Sequence, residues 1–240
     1  SLMEMFPIEE FLQEMGSDIV IYNRGVGGYK TEDMLNAMDI CVYELAPSRI
    51  FINIGTNDLS DPAISMEQMI GNYDKILSEI EAHLPGVELY LMAYYPVNYE
   101  AAAEEMKPCL LIRNNEKINS ANSEVEKLAG KHHAKYIDIN DKLKDADGNL
   151  KAEYTIEGMH IKREGYEAIL PDIMKYVEEW AAEAQKAVVY TNAFAGAIYQ
   201  FEGKVDGRNH GYQGVLLDIG MTSGAIQIYG RLEADKQKVD

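Results

Sequence analysis

The sequence predicts an α/β protein: a parallel sheet with helices packed on both faces. Short apolar runs rich in β-branched residues, among them residues 18–22 (DIVIY), 50–54 (IFINI) and 87–93 (VELYLMA), recur through the first 186 residues. Stretches of helical periodicity, long enough for crossovers, separate them. The runs are mostly apolar rather than strictly alternating, the pattern of strands covered on both faces.

The elements follow in order. Residues 4–15 read as a short amphipathic helix with Phe6, Ile8, Phe11, Leu12 and Met15 on its apolar side, ended by Gly16-Ser17. The strand at 18–22 leads into Asn23-Arg24-Gly25-Val26-Gly27-Gly28. Residues 31–44 carry a 3.6-residue apolar stripe behind Thr31, a good N-cap. The strand at 50–54 ends in Gly55-Thr56-Asn57-Asp58, a sharp polar turn. Residues 65–84 form a long helix stopped by Pro85-Gly86. The strand at 87–93 closes on Tyr94, Tyr95, Pro96, Val97 and Asn98. A helix over 111–130 has Gly130 just past its end. A strand at 135–139, a turn at 145–148 and a helix over 163–185, broken at Pro171, complete the domain. From Ala187 helical periodicity gives way to Gly-rich, β-like runs, so the expected domains are 1–186 and a β-rich segment, 187–240.

Composition narrows the function. The chain has 240 residues, 47% hydrophobic and 26% charged, with a formal net charge of −18. That charge argues against nucleic acid and anionic membrane surfaces as partners. Cys41 and Cys109 lack CxxC spacing, so neither a disulfide framework nor a Cys-based zinc site is expected. No metal or cofactor is required. No apolar run approaches membrane-spanning length, and Glu4, Glu9 and Glu10 interrupt any leader-like apolar stretch, so the expected location is cytoplasmic.

Three clusters fall at strand ends, where open parallel sheets bind ligands. Asn23–Gly28 fails the GxGxxG spacing because Lys30 stands where the third Gly belongs. It is either a structural turn or a loop in which Gly28 offers its N–H to an oxyanion. Asn57 is either a turn residue or a side-chain amide donor to the same oxyanion. In Glu157-Gly158-Met159-His160 the carboxylate can orient the imidazole as a general base. Tyr94, Tyr95 and Asn98, at another strand end, are candidates for the substrate pocket.

Together NRGVGG, GTND and EGMH followed by Gly165-Tyr166 resemble, in order, the blocks of the SGNH (GDSL-type) hydrolases, over roughly residues 1–186. The resemblance implies a three-layer, flavodoxin-like, doubly wound fold and an acyl- or acetylesterase acting on small-molecule esters. It implies Gly28 and Asn57 as oxyanion donors and His160 as base. Glu157 stands where the family usually has Asp. The family's nucleophile lies in a Gly-Asp-Ser-Leu-like block at the end of the first strand. Here Ser1-Leu2-Met3-Glu4 looks like the tail of that block, with Ser1 as nucleophile. The alternatives are that Ser1-Leu2 is a leftover ahead of Met3, and that the fold serves only binding or oligomer assembly. Asp218–Ser223 also resembles the phosphate hairpin of actin-like sugar kinases, and Ser223 is a fallback nucleophile. The missing first strand would be central, so part of 187–240 is expected to fill its slot, within one chain or by strand exchange in a homo-oligomer.

Overall fold

Where the apolar runs pair, they do so in parallel. The computed structural model describes residues 2, 5–7 and 21–177, and the backbone of four short strands beyond them. Strands β1 (Arg49–Ile52), β2 (Glu88–Met92) and β3 (Lys135–Ile137) form a parallel sheet in that order. In β2 the four consecutive residues Leu89 to Met92 are all at most 5% exposed. Successive side chains of a strand point to opposite faces, so both faces of this strand are covered. The fold class is therefore the one expected.

Helices α1 (Thr31–Asn36), α2 (Met38–Cys41), α3 (Thr56–Leu59), α4 (Met66–His83), α5 (Lys107–Ile112) and α6 (Asn115–Lys131) join these strands. The long helix α4 begins as its sequence requires: Ser65 Oγ accepts from Gln68 N at 3.1 Å. Its apolar stripe of Met69, Tyr73, Ile76, Leu77 and Ile80 is buried. It packs on the stripe Ile118, Ala121, Val125 and Leu128 of α6 and on Ile52, Leu89 and Leu91 of the sheet.

Several boundaries differ from expectation for local reasons. The helix expected over 31–44 breaks at Ala37, and Thr31 is its first helical residue rather than its cap. Lys30 holds the cap position, with its N–H donating to Asp33 Oδ2 at 2.9 Å. The helix expected from 111 splits at Arg113, and Asn114 caps the longer piece by accepting from Lys117 N at 2.9 Å. Gly130 lies inside that helix; the left-handed residue beyond its end is His133, with φ of 52°. Residues 163–177 are helical straight through Pro171, which costs one backbone donor without interrupting the run. Most of the helix expected at 4–15, and residues 18–20 of the strand expected at 18–22, lie outside the described residues.

The chain divides into two compact units, Ser1–Ile173 and Met174–Asp240; the expected boundary at 186/187 lies outside the described residues. In the second unit, β4 (Glu202–Val205) pairs antiparallel with β5 (Arg208–Gly211), and β6 (Asp218–Thr222) with β7 (Ala225–Tyr229). Short runs separated by tight connections pair locally at least entropic cost. Among the described residues no helix is long and apolar enough to cross a membrane.

His132 is buried at the end of α6. Its Nε2 lies 2.7 Å from Asp74 Oδ1 and its Nδ1 3.1 Å from Glu81 Oε2. Carboxylates only accept, so both bonds together require the imidazolium. Lys131 Nζ adds a contact of 2.7 Å to Asp74. These groups staple α6 to α4. The Lys131 ammonium, and after it His132, hold the Asp74 carboxyl below the ordinary carboxylate range. A depressed carboxyl stabilises the fold above its unfolded value and loses that contribution as pH falls through its folded value. Asp74→Asn should therefore lower Tm at pH 7 by roughly 2–4 °C, as about 1 kcal/mol would do in a chain of this size. It should also show a shallower acid decline than wild type in calorimetric scans from pH 7 to pH 3. Parallel acid limbs would refute the assignment.

Candidate active site

The polar turn after β1 is the short helix α3, entered through Gly55 at φ 111°. A side chain there would place its Cβ 2.5 Å from Tyr94 Oη and 3.1 Å from Met69 Sδ, so glycine is required on two counts. Asp58 is only 1% exposed. Its carboxylate takes the N–H of Thr31 at 3.0 Å and the Thr31 hydroxyl at 2.5 Å. The GTND aspartate thus serves as an acceptor at the start of α1, binding its free N–H groups and its positive dipole end. Burial pushes the Asp58 carboxyl up, and the bonds from Thr31 oppose that shift. Lys30 Nζ meets Asp61 at 2.6 Å beside it.

These contacts place Asn57 against the glycine loop. Asn57 Nδ2 donates to the Tyr29 carbonyl at 2.8 Å. One amide hydrogen is used this way and fixes the plane of the group; the second has no partner among the described residues. Gly28, next to Tyr29, is exposed with φ of 81°. The two residues expected as oxyanion donors therefore come from loops that the structure ties together.

The acid–base cluster is a closed loop. Thr155 and Ile161 bridge across it, and the His160 carbonyl accepts from Ile156 N at 2.9 Å and Thr155 Oγ1 at 3.1 Å. Gly158, at φ 96°, would clash through any Cβ with the Asn98 carbonyl at 2.6 Å. Its own carbonyl accepts from Asn98 N at 2.8 Å, which docks the loop on the segment following β2. Within it, Nδ1 of His160 bonds Glu157 Oε1, and His160 N donates to Glu157 Oε2 at 3.3 Å. The carboxylate can only accept, so Nδ1 carries a hydrogen, and in the neutral ring Nε2 is the basic nitrogen.

The expected pocket residues are placed otherwise. Tyr94 is a core residue, 1% exposed, with its hydroxyl on the Ile54 carbonyl at 2.7 Å. Asn98 is a loop organiser: Nδ2 donates to the Leu150 carbonyl at 2.7 Å and Oδ1 accepts from Ala101 N at 2.9 Å. Tyr95 is 2% exposed, with a buried hydroxyl that has no partner among the described residues; desolvation holds that phenol above its ordinary value. All three are buried because the chain beyond β2 stays inside the protein rather than emerging at the sheet edge. Ser1 and Ser223 lie outside the described residues. Its neighbour Leu2 is buried, and the Leu2 carbonyl accepts from Tyr166 Oη at 2.7 Å. Tyr166 lies in the first turn of the helical stretch 163–177, just after His160. Sequence reasoning missed Arg113, which is 2% exposed and donates from Nη1 to the Thr56 carbonyl at 3.3 Å. Only its place in the helix break between Ile112 and Asn114 could have marked it.

Comparison with known proteins agrees with this geometry. Residues 8–168 match the model of the GDSL-like lipase/acylhydrolase family. A solved Streptococcus pneumonia protein, provisionally named a platelet activating factor, is 33% identical, with a TM-score of 0.64 over 73% of this chain and 79% of that one. A GDSL-like lipase from Bacteroides thetaiotaomicron VPI-5482 is 21% identical, with a TM-score of 0.61 over 74% of this chain and 84% of its own; it shares the fold. N-acylneuraminate cytidylyltransferase of Escherichia coli O18:K1:H7 is 27% identical over 165 residues, 68% of this chain. The chain spans only 36% of that relative's length.

Gly55→Ala should cost about 1–3 kcal/mol, since it meets both positive φ and the Tyr94 hydroxyl. Urea denaturation measures this. Gly86→Ala, at φ 88° but with open space around its Cβ, should cost less; equal costs would show that the Tyr94 contact is immaterial.

Proposed function

Because the chain belongs to the GDSL-like lipase/acylhydrolase family, we propose that it is a carboxylic ester hydrolase that cleaves small acyl or acetyl esters with His160 as its base. The bond between Glu157 and Nδ1 of His160 carries this reading. It leaves Nε2 as the proton acceptor that nucleophilic catalysis needs.

Ser1 is the nucleophile in this reading, and its neighbour Leu2 is anchored on Tyr166. Serine Oγ bonds to the ester carbonyl carbon while its proton passes to Nε2. The carbonyl oxygen becomes an oxyanion and receives the second Asn57 amide hydrogen and the Gly28 N–H. Collapse of the tetrahedral intermediate breaks the bond to the alcohol, which leaves with the proton from Nε2. Water, deprotonated by the same nitrogen, then releases the acid and restores the serine. Glu157 stays ionised and holds the ring, as its Asp counterpart would. A Glu has one more methylene to order, and the backbone bond from His160 N to Oε2 supplies part of that order.

Hydrolysis of p-nitrophenyl acetate tests these roles. His160→Ala should lose about 10²–10⁴-fold in kcat. Asn57→Ala should lose about 10²–10³-fold, mostly in kcat rather than KM. Ser1→Ala should match His160→Ala. A Ser1→Ala enzyme of wild-type rate would remove Ser1 from the mechanism and make Ser223 the next candidate. Equal rates in all the variants would remove the catalytic assignment and leave a binding protein.

A further inference from the structure

Arg113 is a cation with too few partners. Its guanidinium is a rigid fork of N–H donors that cannot be neutralised at ordinary pH. Among the described residues it makes one hydrogen bond, from Nη1 to the Thr56 carbonyl at 3.3 Å. Among those residues Nε is buried without a partner. Nη2 likewise has no hydrogen bond among them, yet it is not among the atoms shut away from solvent. No carboxylate forms an ion pair with it among the described residues. Burial lowers its pKa to about 10, with the Cys109 thiol and the Glu157 carboxylate opposing that shift.

Its place is informative. The carbonyl it contacts belongs to Thr56, directly before Asn57, and the carboxylate it senses belongs to the loop that carries His160. The fork therefore lies under the residue that precedes Asn57, within electrostatic reach of Glu157. A buried charge left unpaired is costly, and is retained where a partner arrives from outside. The chain as a whole carries −18, so long-range attraction cannot bring an anion here; a dedicated cation would have to hold it.

We propose that Arg113 is a specificity-determining residue that pairs with a carboxylate on the ester substrate, so that the preferred substrates are monoanionic esters. This rests on the ester-hydrolase reading above. A carboxylate matches the planar fork, and its single charge is balanced by a single guanidinium. A phosphate dianion would leave one charge uncompensated beside Glu157.

The test compares 4-acetoxybenzoate with its neutral amide, 4-acetoxybenzamide, for wild type, Arg113→Met and Arg113→Lys. Thermal unfolding first checks that each variant is folded. Wild type should favour the anionic ester by about tenfold or more in kcat/KM, the ratio one charge-assisted hydrogen bond supplies. Arg113→Met should bring the ratio close to one, and Arg113→Lys should keep part of it. A second arm titrates 4-hydroxybenzoate and inorganic phosphate calorimetrically. Heat from 4-hydroxybenzoate that is lost in Arg113→Met supports the proposal. Equal wild-type rates on the two esters, or a preference that survives in Arg113→Met, overturn it while leaving ester hydrolysis intact. If neither ester is cleaved, the ester reading fails and the calorimetric arm decides whether Arg113 binds a carboxylate. Binding of phosphate in place of 4-hydroxybenzoate overturns it.

Discussion

A buried carboxylate at the start of a helix holds this site together. Asp58 accepts two bonds from Thr31, and those bonds fasten the turn after β1 to the start of α1. The Asn57 amide can be aimed only because its neighbour is fixed in this way. Its bond to the Tyr29 carbonyl then sets the glycine loop beside it. The cost of desolvating Asp58 is met by N–H and O–H donors rather than by a full ion pair, which keeps the turn rigid.

A second constraint acts on the chain beyond β2. Past the end of the sheet, Tyr94 to Asn98 have no neighbouring strand to bond among the described residues. Side-chain amides replace it. Asn122 takes the Tyr94 N–H at 2.7 Å, Asn140 donates to the Tyr94 carbonyl at 2.9 Å, and Asn115 bonds both the N–H and the carbonyl of Val97. This satisfies a buried backbone that water cannot reach. It also explains how Asn98 can meet the Gly158 carbonyl, since the Asn98 end of that contact is rigid. The loop that carries His160 is thus positioned by helix α6 and by asparagines some distance from it.

Electrostatics divides the molecule in the same way. Several of the described ion pairs are on solvated surfaces, where single pairs contribute little. The contacts that matter are few and partly buried: Asp58 with Thr31, His132 between Asp74 and Glu81, and Glu157 with His160. Arg113 differs in kind, being a buried cation with no carboxylate bonded to it among the described residues.

Hydrophobic periodicity determined the identity of most elements, because the spacing of apolar residues dictates which local conformation can bury them. The α/β class, the long helix capped by Ser65 and the strand runs were legible for that reason. So was the Glu157–His160 pair, whose members are three residues apart and meet through local geometry. Contacts between residues distant in sequence were not legible. No spacing rule places the Tyr94 hydroxyl on Ile54, seats His132 between two carboxylates of another helix, or leaves Arg113 under Thr56. The tertiary structure decided these, since burial and hydrogen-bond satisfaction depend on which elements come to lie against one another. The same holds for the tail: residues 225–229 read as a strand, but only the pairing decided that they close on residues 218–222 as a hairpin.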